Sequence, residues 1–226
     1  MLNQLFRRRT MLRAAFLGLG ITALSACTAT SAGSASASPT SAPAAIESSP
    51  GSSPRVLVVY FSRAGENYWD GGRRILDVGN TQVVAEMITG LIDADVYRIE
   101  AAEPYSSEYD ATVQRNQQEI QDDARPAIAN PLPSLDNYDV VLLGSPVWAM
   151  QEPVIMRTFV EAENGLAGIT AYPFVTYAVS GMGSVAANYE RLYPDATWGE
   201  GLAVQGEEAQ DARGDVEAWL EQIGLL

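Results

Sequence analysis

The sequence contains no histidine, no lysine and one cysteine, Cys27. Without histidine there can be no Ser-His-Asp triad, no Cys-His pair and no ordinary zinc site, and without lysine there is no Schiff base. A lone cysteine closes no intrachain disulfide, so the fold must rest on its core. Demanding chemistry at this chain therefore calls for a borrowed cofactor.

Positive charge is scarce as well. All 14 basic residues are arginines, set against 28 acidic residues for a formal charge of −14. Four of those arginines precede Ala14, in a stretch with no acids. Beyond residue 26 the chain thus carries ten arginines against the same 28 acids, a charge of −18. A surface of that sign repels phosphate backbones, and nucleic acid is not an expected partner.

The amino-terminal residues have their own pattern. A basic head, Arg7-Arg8-Arg9 with Arg13, precedes an apolar run over 14–24 that is too short for a membrane span. Residues 1–26 therefore read as a signal peptide. Arg8-Arg9-Thr10-Met11-Leu12-Arg13 resembles the twin-arginine export motif, and Leu24-Ser25-Ala26-Cys27 resembles the lipobox of bacterial lipoproteins. The second resemblance implies lipidation at Cys27 and an exported protein anchored to the outer face of the cytoplasmic membrane. Residues 27–54 are almost entirely Ser, Ala, Thr, Pro and Gly, too poor in apolar groups to offset ordering entropy, and read as a flexible tether. The globular domain is expected over 55–226.

Within it, short apolar runs recur at 55–61, 95–99, 138–144, 172–179 and 197–204. The third, YDVVLLG, is apolar at consecutive positions, as a strand covered on both faces should be. Helical spacing of apolar residues marks 80–91 and 209–223, and 152–163 places Pro153 in a first turn, where its missing N–H costs nothing. Residues 105–126 are dominated by glutamine and acids and read as a solvated helix without chemistry. Strands alternating with helices imply parallel strands joined by right-handed crossovers, hence an α/β fold with a three-layer doubly wound sheet. Ligands of such sheets sit outside the carboxyl ends of the strands.

Three loops occupy those ends. After the first run comes Ser62-Arg63-Ala64-Gly65, and Gly79-Asn80-Thr81 then opens a helix. Hydroxyls and free N–H groups at a helix N-terminus can hold an anion without lysine, although Asn80 or Thr81 could equally serve as a plain helix cap. After the third run comes Gly144-Ser145-Pro146-Val147-Trp148-Ala149-Met150, whose tryptophan either stacks on a planar ligand or packs on the next helix. After the fourth comes Ser180-Gly181-Met182-Gly183-Ser184-Val185-Ala186. It matches the dinucleotide pattern G-x-G-x-x-A, but that fingerprint belongs after a first strand.

Taken together, Y-F-S-x-x-G with G-N-T, then G-S-P-V-W, then S-G-x-G, in this order, resemble the flavodoxin-like family over essentially all of 55–226. The resemblance implies five parallel strands in the order 2-1-3-4-5 and one bound flavin mononucleotide (FMN). It implies that Ser62, Asn80 and Thr81 are phosphate ligands, with backbone from Arg63, Ala64 and Gly79. Pro146, Val147, Trp148 and Ala149 correspond to the loop flanking the isoalloxazine, and Ser180, Gly181 and Gly183 to the loop along its pyrimidine edge. Residues 66–78 interrupt the family's usual passage to G-N-T. A similar insertion, with the wording ENYW…GNT, and the Arg125-Pro126-Ala127-Ile128 segment resemble one branch of the family. The insertion reads as a polar loop acting as a lid or partner surface, in which Tyr68 and Trp69 either cover the flavin or pin the loop. The implied function is electron transfer or quinone-type reduction, with a redox protein or a quinone or other small molecule as acceptor. A flavodoxin-fold binding module without turnover is the alternative. A receiver-type signalling domain shares the strand order but needs a lysine that this chain lacks.

Overall fold

The computed structural model describes residues 53–162 and 165–226. The expected signal peptide, Cys27 and the tether up to residue 52 lie outside the described residues. In chain order the elements are β1 (Val56–Tyr60), β2 (Gly65–Trp69), β3 (Gly72–Leu76), α1 (Asn80–Thr89), β4 (Asp95–Arg98), α2 (Tyr109–Gln121), β5 (Val140–Pro146), α3 (Val154–Val160), β6 (Thr170–Tyr177), α4 (Val185–Leu192), β7 (Thr197–Trp198), β8 (Leu202–Gln205), a 3-10 turn (Gly206–Glu208) and α5 (Arg213–Gln222).

The central sheet runs β4-β1-β5-β6, all parallel, with β7 and β8 both pairing in parallel with β6. The expected 2-1-3-4-5 order is present, with its fifth strand split in two. Pro173 explains the split. The Ala171 carbonyl accepts from Gly199 N–H (2.9 Å), so odd-numbered residues of β6 face the fifth strand. Pro173 faces the same way and has no N–H to give. Pairing therefore lapses between Ala171↔Trp198 and Phe174↔Leu202.

Strand alternation divides the core between two faces. From β1, Val56, Val58 and Tyr60 pack with Val84 and Ile88 of α1 and with Val216, Trp219 and Leu220 of α5. Leu57 and Val59 turn the other way, onto Ile155, Met156 and Phe159 of α3 and Val185 and Tyr189 of α4. Each such side chain contributes about 1.5–3 kcal/mol when fully buried, which gives a disulfide-free domain its stability. Three details differ from the sequence reading. Pro153 is the N-cap of α3, outside its first turn, because its ψ of 137° is extended. Helix α4 was not foreseen; at eight residues it shows only two buried positions, Val185 and Tyr189. The 66–78 insertion is a β-hairpin, β2 antiparallel to β3, closed by Asp70-Gly71 with φ of 51° and 81°. Two positive φ values in a two-residue loop are the mark of a type I′ turn, which Asp-Gly favours.

Gly144 of β5 lies where an added Cβ would overlap the Phe174 ring. Gly144→Ala is expected to destabilise the domain by about 1–3 kcal/mol through overpacking. Urea unfolding measures it, and an unchanged midpoint would mean that Phe174 has room to shift.

Candidate functional site

The carboxyl ends of β1, β5 and β6 open into a cavity of about 500 Å³, a size suited to one small cofactor. At one end is the first turn of α1. Gly79 is its N-cap, too close to Ser62 and to the Arg63 backbone to carry a side chain. Gln82 N–H, the third donor of the helix, is shared between the Gly79 carbonyl (3.0 Å) and Ser62 Oγ (3.1 Å). The N–H groups of Asn80 and Thr81, one and two positions into the helix, have no intrahelical acceptor and are available to an anion. The Thr81 hydroxyl is not free in the same sense: it shares a buried 2.7 Å hydrogen bond with Thr176 of β6. Gly65, the first residue of β2, has a φ of 92°, and an added Cβ there would meet the Ser107 backbone.

Arg63 and Glu207 are the charged side chains that line the cavity among the described residues. Arg63 spends its guanidinium on backbone, donating to the carbonyls of Ser106 (2.9 Å), Ser107 (3.2 Å) and Glu66. Burial holds its pKa below the usual guanidinium value, against the opposing pull of Glu66. Its role is to fasten the entry of the hairpin to the segment before α2.

The other end is formed by two loops. Pro146 and Val147 leave β5, and Trp148 and Gln151 close a tight turn by exchanging N–H···O bonds of 2.8 and 3.1 Å. The two residues between them, Ala149 and Met150, have φ of 50° and 69°. Non-glycine residues in that region store about 1–2 kcal/mol each, a strain that persists only where neighbours enforce it. Here Ser184 N–H grips the Met150 carbonyl at 2.7 Å, and Gly183 is packed against that same carbonyl. Trp148 packs edge-on to Phe61 (5.6 Å) and Tyr105 (5.2 Å), neither of them on the next helix, while also lining the cavity.

Of the residues singled out in the sequence, Ser62, Arg63, Asn80, Thr81, Pro146, Val147, Trp148, Ala149 and Ser180 line one cavity. Ala64, Gly79, Gly181 and Gly183 do not; Gly79 and Gly183 instead support those that do. Sequence reasoning missed a whole wall. Tyr109, Thr112, Val113, Asn116 and Gln117 of α2 face the cavity, although the segment is rich in glutamine and acids. The available signal was the spacing of Thr112, Asn116 and Glu119, all buried. Thr176, the Tyr177–Ser180 turn and Gly206-Glu207 after β8 complete the lining.

The hairpin spans the cavity. Asn67 and Tyr68 line it, whereas Trp69 lies under the Arg74 guanidinium (4.5 Å) and is not part of the lining. On the α2 side, Arg73, paired with Tyr68 near the turn, binds Asp110 through two hydrogen bonds (2.6 and 3.0 Å) and sits 4.5 Å over the Tyr109 ring, while Glu66 near the base accepts from Tyr109 N–H (3.1 Å). At the tip, Asp70 N–H donates to Glu207 Oε1 (2.7 Å). Behind Trp148, the Tyr105 hydroxyl donates to Glu119 (2.9 Å), and its pKa is pushed far up by burial first and by Glu119 second. Among the described residues there is no cluster of side chains able to hold a metal, and no helix is long and apolar enough to cross a membrane.

The model of a family described as flavodoxin matches residues 75–223. No curated protein matches the chain. Among solved structures, a protein of Bacteroides eggerthii described as a flavoprotein is 30% identical, with a TM-score of 0.62, over 76% of this chain and 99% of its own. One from Bacteroides uniformis is 28% identical with a TM-score of 0.61, over 75% and 99%. A flavoprotein of Lactobacillus acidophilus, solved in complex with FMN, is 19% identical with a TM-score of 0.53, over 72% and 99%, and shares the fold.

Arg73→Ala should raise amide exchange across Gly65–Leu76 severalfold while β1 and β5 stay protected. The hydrogen bond from Arg73 holds the Asp110 carboxyl below its usual range. The clamp is therefore intact above the ordinary carboxylate pKa and is lost as the pH falls through the depressed one. Hydrogen exchange reads both effects, after intrinsic rates are divided out. Unaltered exchange in the variant would mean that Arg63, Glu66 and the tip contact to Glu207 hold the hairpin without Arg73.

Proposed function

The chain belongs to the flavodoxin family, and from that premise we propose that it binds FMN and works in electron transfer or quinone-type reduction at the outer face of a bacterial cytoplasmic membrane. The observation that carries this reading is the convergence, in one cavity, of an unpaired helix N-terminus and a half-buried tryptophan on a strained loop. The first suits a phosphate and the second a flat ring. The donor set agrees with a monophosphate ester: Ser62, Asn80 and Thr81 offer neutral donors, and lysine is not needed.

On this reading Asn80 and Thr81 would hold the phosphate through backbone N–H groups, and Val147, Trp148 and Ala149 would flank the ring, with Ser180 at its edge. FMN, when bound, supplies the one- and two-electron chemistry that no side chain of this chain can perform. The work of the protein is to orient the cofactor and exclude water. The strained Ala149-Met150 turn, locked by Ser184, would fix the backbone beside the ring, and the hairpin would shield it through Tyr68, which lines the cavity. The charge of −18 beyond residue 26 disfavours added negative charge on the cofactor and lowers its potential, within the limits of screening. Export, the lipid anchor at Cys27 and proximity to a membrane redox partner or quinone are supported by the sequence pattern of residues 1–54.

One preparation tests the reading. The full chain, expressed in a bacterial host and purified from membranes without added cofactor, is expected to show flavin absorption bands and to release FMN on denaturation. Cys27→Ser should move it out of the membrane fraction with its colour intact. A colourless protein that ignores added FMN would overturn the cofactor assignment, and a variant still held at the membrane would overturn the anchor.

A further inference from the structure

The inward face of α2 is polar where a core-facing stripe is ordinarily apolar. Thr112, Asn116 and Glu119 recur at i, i+4 and i+7 and are 4%, 4% and 8% exposed. Two of the three find partners inside the protein. Thr112 Oγ1 donates to the Ser106 carbonyl (2.9 Å), and Glu119 accepts from the Tyr105 hydroxyl (2.9 Å) and from Arg115 Nε (2.7 Å). The carboxamide oxygen of Asn116 is buried with no hydrogen-bond partner, and the side chain lines the cavity.

Asparagine is a weak residue for a helix interior, and a buried acceptor left unmet is costly enough that native proteins seldom keep one without a use. Its position narrows the use. Glu119, one turn further along the stripe, is joined through Tyr105 to the Trp148 ring, whereas Tyr109 at the start of α2 is tied to Glu66 at the hairpin base. Asn116 therefore lies toward the tryptophan end of the cavity, away from the first turn of α1.

We propose that Asn116 is a cofactor-binding residue whose carboxamide hydrogen-bonds the polar edge of the isoalloxazine. The assignment rests on the FMN reading. It has a chemical match: a carboxamide presents a donor and an acceptor side by side, and the pyrimidine edge of the ring presents N–H next to carbonyl oxygen. Filling the site pairs the one member of the stripe that the fold leaves unpaired.

The test titrates the full chain and its Asn116→Ala and Asn116→Leu variants with FMN and with lumiflavin, which keeps the ring and lacks the ribityl phosphate. Flavin fluorescence reports binding, and thermal unfolding of the cofactor-free proteins is measured alongside. Both ligands should bind each variant about tenfold more weakly than the parent, the share of one buried hydrogen bond. The cofactor-free Asn116→Leu protein should melt no lower than the parent, since it loses an unpaired polar group. Equal affinities in parent and variants would overturn the role of Asn116 while leaving FMN binding intact. A loss confined to FMN would move the contact to the ribityl phosphate and overturn the ring assignment. A lower melting temperature in both cofactor-free variants would make Asn116 a structural residue. A parent protein that binds neither flavin would overturn the cofactor reading and this inference together.

Discussion

Everything at the cavity depends on where the first turn of α1 is held. A chain without lysine must bind an anion with backbone N–H groups, and these are useful only if they point at one place. Three contacts fix them: Gly79 packed on the end of β1, the Ser62 hydroxyl on Gln82 N–H, and the Thr81 hydroxyl on Thr176. The last ties the helix to β6, two strands away from β1. The Gly79 carbonyl and Ser62 meet the third N–H, and the first two remain for a ligand. Charge-assisted hydrogen bonds of this kind contribute about 1.5–3 kcal/mol each, more than the helix dipole adds by itself.

The remaining walls are held with comparable care. The Trp148–Gln151 turn is strained, and the Ser184 N–H that enforces it comes from the start of α4 on the β6 side. The hairpin is fastened on two sides, by Arg73 to Asp110 and Glu66 to Tyr109 N–H on α2, and by Asp70 N–H to Glu207 after β8. Loops leaving β1, β5, β6 and β8 thus meet through side chain and backbone, so the cavity is a property of the whole carboxyl edge of the sheet.

Much of this was legible because burial leaves a plain record in composition. The uninterrupted apolar run of β5 announced a strand covered on both faces, and small and hydroxyl residues just past each strand announced the loops. Polarity was the misleading signal. The composition of the α2 segment reads as a solvated face, yet Thr112, Asn116 and Glu119 are buried, and only their spacing separates a polar wall from a wet surface. Asp70-Gly71 between two short polar strands was a hairpin signal hidden by the lack of apolar alternation. Pro173, facing the fifth strand, already contained the reason that strand breaks.

The most direct test of the account is the ratio of dissociation constants for FMN and riboflavin on the same protein at one ionic strength. The two ligands differ only in the phosphate. If the first turn of α1 is an anion site, FMN should bind at least about tenfold tighter, the return on a single charge-assisted hydrogen bond. Equal affinities would mean that the free N–H groups of Asn80 and Thr81 do not meet a phosphate, and the central claim would fail.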